Sequence, residues 1–203
     1  MVEHSNVTTF LEKLNKKITQ FYKSDDAPEK MLGEAINDFH HNRICDLLKD
    51  HKGTVVVGNA QAHVDKKLEP TVILNPAMDS PLMKEEIFGP ILPIITYNSF
   101  EEAVKIVKSI EKPLVIYYFG PVKSKNYRTL EAETSSGALV TNDYGIQVAC
   151  SELPFGGVGH SGYGRWHGYQ GFLECSNQKS VLIKRPIDFW PFNVTMAPFT
   201  KSK

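Results

Sequence analysis

Apolar residues recur every three or four positions near the start of the chain: Val7, Phe10, Leu11, Leu14, Ile18 and Phe21, with Glu12, Lys13, Lys16, Lys17 and Gln20 opposite. That stripe predicts an amphipathic helix with one buried face. Thr9 and Glu12 have the spacing of a capping box, and Ser5 is an equally good start. Pro28 and Gly33 interrupt the pattern; a shorter helix is then expected to carry Phe39, Ile44, Leu47 and Leu48 and to end at Gly53. Next come β-branched runs at 54–58 and 71–74, which predict strands. The run 91–97 reads the same way, but Pro93 cannot donate to a ladder and so assigns it to an edge or a bulge. Ser99 and Glu102 form a second capping-box pair, opening a helix with Phe100, Ala103, Val104, Val107 and Ile110 on its buried face and a stop at Pro113. Residues 114–119 lack polar alternation and are expected to form a strand covered on both faces. A helix over 124–134 and a strand over 138–141 complete the rhythm. Alternating strands and helices, with no internal repeat or low-complexity linker, predict an α/β fold: an open, largely parallel sheet flanked by helices.

Composition narrows the partners more than the fold. The chain has 203 residues, 41% hydrophobic and 23% charged, which is ordinary for a globular domain. Lys plus Arg and Asp plus Glu both number 23, so the formal charge is zero, and no arginine-rich stripe offers a footprint for nucleic acid. Small molecules or proteins are the expected partners. Cys45, Cys150 and Cys175 are far apart and odd in number, which argues against a disulfide framework and for a reducing, cytoplasmic compartment. The first residues lack a basic-then-apolar signal pattern, and no apolar run reaches the ~18 residues of a membrane span. The expected protein is soluble or peripheral.

Two segments concentrate chemistry. Glu85-Glu86-Ile87-Phe88-Gly89-Pro90 sets a carboxylate two residues before a phenyl ring in a Gly-Pro turn. A carboxylate can accept both hydroxyls of a ribose diol, and a phenyl face can pack on a flat nicotinamide; the competing reading is a salt-bridged surface Glu beside a core Phe. The second segment, residues 154–165, places five glycines in the nine positions from Gly156 to Gly164, a backbone that needs unusual dihedrals or close approach by a neighbour. Gly157 to Gly162 spells G-x-G-x-x-G, but no predicted strand runs into it and too little chain follows, so the dinucleotide-fold reading is rejected. Ser161 is not in a nucleophile elbow, because Tyr163 stands where the last glycine belongs. His160 and His167 flank the glycines and read as turn or surface residues. The three cysteines read as structural thiols, and His40, His41 and His51 match no metal-ligand spacing.

Glu-Glu-Ile-Phe-Gly-Pro at 85–90, Leu-Pro-Phe-Gly-Gly-Val-Gly at 153–159 and Ser-Gly-Tyr-Gly-Arg-Trp-His-Gly at 161–168 together resemble the aldehyde dehydrogenases. The wording of the last two points to the class 3 or fatty-aldehyde-like branch. Shorter matches in register at 36–40, 68–72 and 112–114 extend the resemblance over nearly the whole chain. The resemblance implies that residues 1–184 are part of the catalytic domain, with a strand near 178–183 in the oligomerisation sheet, and that 185–203 form a C-terminal extension that wraps a neighbouring subunit. It implies that Glu86 holds the nicotinamide ribose, that Phe88 packs near the nicotinamide, and that Phe155 and Gly156 belong to the base of the aldehyde pocket, with 145–153 lining the substrate tunnel. The cofactor implied is NAD or NADP, not bound by this chain alone.

In the resembled family the nucleophilic cysteine lies just upstream of the helix that opens this chain, and the general-base glutamate, oxyanion asparagine and Rossmann domain lie further upstream. The expectation is therefore a partial aldehyde dehydrogenase, inactive by itself and active only if complemented by the missing half, with that half or further copies in a homo-oligomer as its expected partners. The competing reading is a catalytically inactive structural or scaffold subunit; a free NAD-binding module ranks last.

Overall fold

The computed structural model describes residues 1–22, 32–58, 63–64 and 66–183. Its elements, in chain order, are β1 (Val2–Glu3), α1 (Val7–Tyr22), α2 (Asp38–Leu47), β2 (Thr54–Val57), β3 (His63–Val64), β4 (Lys67–Leu68), β5 (Thr71–Leu74), α3 (Pro81–Lys84), β6 (Ile91–Ile94), β7 (Thr96–Tyr97), α4 (Phe100–Ser109), β8 (Val115–Tyr118), α5 (Lys125–Glu133), β9 (Ala138–Thr141) and α6 (Gly168–Glu174). The α/β reading holds, with parallel pairing at β1–β7, β5–β6 and β8–β9 and antiparallel pairing at β2–β5 and β3–β4. The described strands form four short sheets, joined by five ladders, rather than one continuous sheet.

The core is built around β5. It lies between β2 and β6, and Thr71, Val72 and Ile73 are all almost fully buried. Because side chains alternate across a strand, consecutive residues serve opposite faces. Ile73 packs with Ile44, Leu47 and Leu82, whereas Val72 packs with Ile18, Val57 and Ile94. Pro93 falls in β6, which among the described residues pairs only with β5, so the proline occupies the edge position that its missing N–H demands.

Helix starts follow local side-chain chemistry, with two departures from the expected pattern. Asn37 caps α2 by accepting from the His40 N–H at 2.9 Å, and Ser124 caps α5 by accepting from the Tyr127 N–H at 3.1 Å. At α4, Ser99 accepts from the Glu102 N–H, but the Glu102 carboxylate accepts from Asn98 N–H, so the expected reciprocal box is displaced by one residue. At α1 neither Thr9 nor Ser5 caps. A 3-10 turn over His4–Asn6 runs straight into the helix at Val7, so Thr9 already lies inside it.

Several residues expected on buried faces lie outside the core, Phe10 and Phe21 of α1 among them. Phe39 is 72% exposed, because α2 turns Ile44 and Leu47 inward and leaves Phe39 on the outer side. Ile110 lies just past the end of α4 and is exposed. Strand β8 is half-buried throughout and, among the described residues, paired only with β9. Residues 177–183 form no strand among the described residues; Leu182 and Ile183 are almost fully exposed, and a strand needs a partner backbone that this single chain does not bring there. The extension expected over 185–203 lies outside the described residues. No helix among them is long and apolar enough to cross a membrane.

Ile73→Ala should destabilise the native protein by about 2–5 kcal/mol, the cost of a cavity in a packed core. Phe39→Ala should change stability by less than about 0.5 kcal/mol. Urea titration checks both, and a large loss at Phe39 would contradict the burial pattern.

Candidate functional site

The loop from Glu85 to Pro90 connects α3 to β6 and is fixed from beneath. Arg43, projecting from α2, donates from Nη1 to the Glu86 carbonyl at 3.3 Å and from Nη2 to the Ile87 carbonyl, and pairs with the Glu85 carboxylate at 3.5 Å. Ile87 packs on the buried cluster around Ile73. Gly89 lies so close to Ile44 that a Cβ would stand 2.9 Å from its Cδ1. With Ile87 turned in, the residues on either side turn out. Glu86 is exposed, and its carboxylate makes no ion pair or hydrogen bond among the described residues. Phe88 is 79% exposed with φ of 44°, a left-handed conformation that costs a bulky residue about 1–2 kcal/mol. Phe88 is therefore neither core nor relaxed, and it is Glu85 rather than Glu86 that makes the salt bridge.

The glycine-rich loop is compact for a different reason: backbone meets backbone. A Cβ on Gly157 would stand 2.1 Å from the Ser161 carbonyl oxygen, and one on Gly137, at the start of β9, would stand 2.0 Å from the Gly156 carbonyl oxygen. Ser161 Oγ accepts from the Val158 N–H at 2.9 Å and donates to the Val158 carbonyl at 3.0 Å. Arg165 donates to the carbonyls of Gly157 and Gly164, so the loop's own arginine closes it. Phe155 and Trp166 exchange backbone hydrogen bonds of 2.8 and 2.7 Å. That exchange brings His167 beside the site: its ring lies 6.1 Å from Phe155 and 4.9 Å from Trp166. Its Nδ1 is buried with no hydrogen-bond partner among the described residues. The turn reading for His167 is right about the backbone, where φ is 72°, but misses the ring's place against Phe155.

The segment 145–153 packs onto the same loop, since a Cβ on Gly168 would approach the Glu152 carbonyl oxygen at 3.0 Å. Within it Gln147 is buried and donates to the Tyr117 hydroxyl at 2.9 Å, while Tyr144, Ile146 and Val148 face outward. Phe155 and Gly156 thus share one cluster, and Glu86 and Phe88 another. Among the described residues no hydrogen bond, ion pair or ring contact joins the two. A cavity of about 590 Å³ between the ends of α4 and α5 reaches Gly159 and His160, but neither Phe155 nor Glu86 lines it; His160 pairs there with Glu111 at 3.3 Å.

The three cysteines differ in their surroundings. Burial pushes the Cys45 thiol up, Asp46 adds to the shift, and the sulfur lies 3.9 Å from the His41 ring nitrogens inside α2. Cys150 is half-buried and Cys175 exposed, each without a hydrogen-bonded base among the described residues. No group of three or more His, Cys, Asp or Glu could hold a metal among them.

The family profile described as "Aldehyde dehydrogenase family" matches residues 1–181. The chain belongs to the aldehyde dehydrogenase family. It is 37% identical over 174 residues to the dimeric NADP-preferring aldehyde dehydrogenase of Bos taurus, covering 86% of this chain and 72% of that relative. It is 39% identical over 184 residues to aldehyde dehydrogenase family 3 member F1 of Arabidopsis thaliana, covering 90% of this chain but 38% of that one. Among solved structures, a substrate-bound state of AldH from Staphylococcus aureus superposes with a TM-score of 0.78 at 31% identity, over 95% of this chain and 43% of that one. Succinic semialdehyde dehydrogenase from Streptococcus pyogenes, in complex with NADP+, gives 0.77 at 27%, over 91% and 41%. The expected family and its class 3 relatives are borne out, and apart from the cattle protein these relatives are more than twice as long as the matched segment.

Gly157→Ala should destabilise the native protein by about 1–3 kcal/mol, because backbone must move to admit the methyl group. Gly33→Ala, where a Cβ meets nothing within 4 Å, should be neutral or slightly stabilising. Thermal melts distinguish them; equal effects would mean that the loop is not closed by backbone contact.

Proposed function

We propose that this chain supplies the nicotinamide-ribose loop and the floor of the aldehyde pocket to an NAD(P)-dependent aldehyde dehydrogenase, and that the nucleophile, general base and dinucleotide-binding fold come from polypeptide outside these 203 residues. The observation that carries this reading is the loop at 85–90, which is bonded from below and turns outward an unpaired carboxylate and a phenyl ring carried on left-handed backbone. An exposed carboxylate with both oxygens free fits a cis-diol, since it can accept two hydroxyl protons at once. A bound nicotinamide cofactor supplies the hydride acceptor for aldehyde oxidation.

On this reading Glu86 accepts from the ribose hydroxyls and fixes the sugar, while Phe88 limits where the nicotinamide ring can lie. Phe155 and Gly156 form the pocket floor, with Arg165 and Ser161 keeping the backbone behind them fixed. These are positioning and desolvating roles. The family reaction also needs a thiolate and a base; burial and Asp46 disfavour the thiolate of Cys45, and neither Cys150 nor Cys175 has a hydrogen-bonded base among the described residues. Free cysteines fit a reducing, cytoplasmic setting, and the exposed apolar residues at 181–183 fit burial against a complementing half or a second copy. The scaffold reading also accounts for that face, but it gives no reason for an unpaired Glu86 beside a strained Phe88.

The isolated chain should show no NAD(P)-dependent oxidation of medium-chain or aromatic aldehydes. Turnover that disappears on replacing Cys150 would make that residue a nucleophile and contradict the proposal. In the native enzyme, Glu86→Gln should lower kcat/KM by roughly tenfold or more, because a neutral amide accepts two hydroxyls less well than a carboxylate; an unchanged value would remove Glu86 from the site.

A further inference from the structure

We propose that Arg43 is the positioning residue for the cofactor loop: from α2 it sets the backbone at 85–87 and thereby the direction of Glu86 and Phe88. The inference rests on the reading of Glu86 and Phe88 given above, but the clamp itself stands on separate observations. Arg43 is joined to three consecutive residues lying 42 to 44 positions away in sequence: the Glu85 carboxylate, the Glu86 carbonyl and the Ile87 carbonyl. The planar fork of a guanidinium can serve neighbouring carbonyls at once, a geometry the single ammonium of lysine cannot match. The Glu85 carboxylate supplies a countercharge at 3.5 Å, with its side chain 47% exposed and that of Arg43 23% exposed.

The clamp has something to hold. Immediately after the two clamped carbonyls, Phe88 takes its left-handed φ and Gly89 is pressed against Ile44, the residue after Arg43. One turn of α2 therefore fixes the loop twice, through the Arg43 guanidinium and the Ile44 side chain. A Phe88 released from this frame would relax toward negative φ, which reorients the ring and the carboxylate two residues before it. The small groove of about 360 Å³ beside Arg43, lined also by Phe39, Asp46 and Glu85, lies next to the guanidinium. Arg43 touches neither of the groups assigned to the cofactor, so its effect passes through the loop.

Arg43→Met and Arg43→Lys in the intact native enzyme test this with two readouts. Amide hydrogen exchange at Ile91, whose N–H donates to the Gly89 carbonyl of the loop at 2.8 Å, measured without cofactor, should rise about ten- to a hundredfold in Arg43→Met and less in Arg43→Lys, the range expected for losing charge-assisted hydrogen bonds. The KM for NAD(P)+ should rise by a similar factor, with the KM for aldehyde unchanged and partial recovery in the lysine variant. Unchanged exchange in Arg43→Met overturns the clamp. Increased exchange with unaltered cofactor KM and kcat, alongside a normal Glu86→Gln enzyme, overturns the assignment of the loop to the cofactor and with it this role for Arg43. If Arg43→Met fails to fold, the lysine variant carries the test: it must loosen the loop and raise cofactor KM, and wild-type values in both would refute the proposal.

Discussion

Strand β5 is buried along three successive residues, and because strand side chains alternate, those residues feed two separate cores. Ile73 draws in α2 through Ile44 and Leu47 and α3 through Leu82. Val72 draws in α1 through Ile18 and the edge strand through Ile94. The placement of the candidate site follows from the first of these. Helix α2 must lie flat on Ile73 to bury Ile44, and that fixes where Arg43, one residue earlier, can reach. The loop at 85–90 leaves α3 and enters β6, both anchored to the same cluster, so it crosses above α2 within reach of the guanidinium.

The two candidate loops are rigid by different means. The glycine-rich loop has backbone packed on backbone, and a single methyl group would collide with a carbonyl oxygen. The loop at 85–90 is held by side chains, an arginine fork and an isoleucine, which leaves its outward residues free of structural duties. That difference matters for the proposed function. A carboxylate that already served a salt bridge would be a poorer ribose acceptor, and here Glu85 takes that pairing and leaves Glu86 available.

Much of this was legible in the sequence where the cause is local. The period of apolar residues located α1 and α4, Ser99 marked the start of α4, and Pro93 marked an edge or a bulge, whereas the caps at Asn37 and Ser124 emerged only in the structure. Glu86, Phe88, Phe155 and Gly156 stood out through motifs alone. What the sequence hid depends on contacts distant along the chain. Nothing in the spacing around Arg43 announces carbonyl partners more than forty residues on. Phe39 shares the apolar pattern of α2, yet only the packing of that helix on β5 decides that it faces out. Thr9 failed as a cap because the helix was extended backwards through a 3-10 turn, which no propensity rule anticipates. The strand near 178–183 is implied only by the family resemblance, and a ladder is a property of two backbones that cannot be read from one.

The central claim, that residues 85–90 form the nicotinamide-ribose end of a cofactor site, is tested most directly by a crystal structure of the intact native protein with NAD+ or NADP+ bound. The account predicts both Glu86 carboxylate oxygens within hydrogen-bond distance of the two hydroxyls of the nicotinamide ribose, the Phe88 ring beside the nicotinamide, and Arg43 still bonded to the Glu86 and Ile87 carbonyls. A ribose held by other residues, with Glu86 left in solvent, would contradict it.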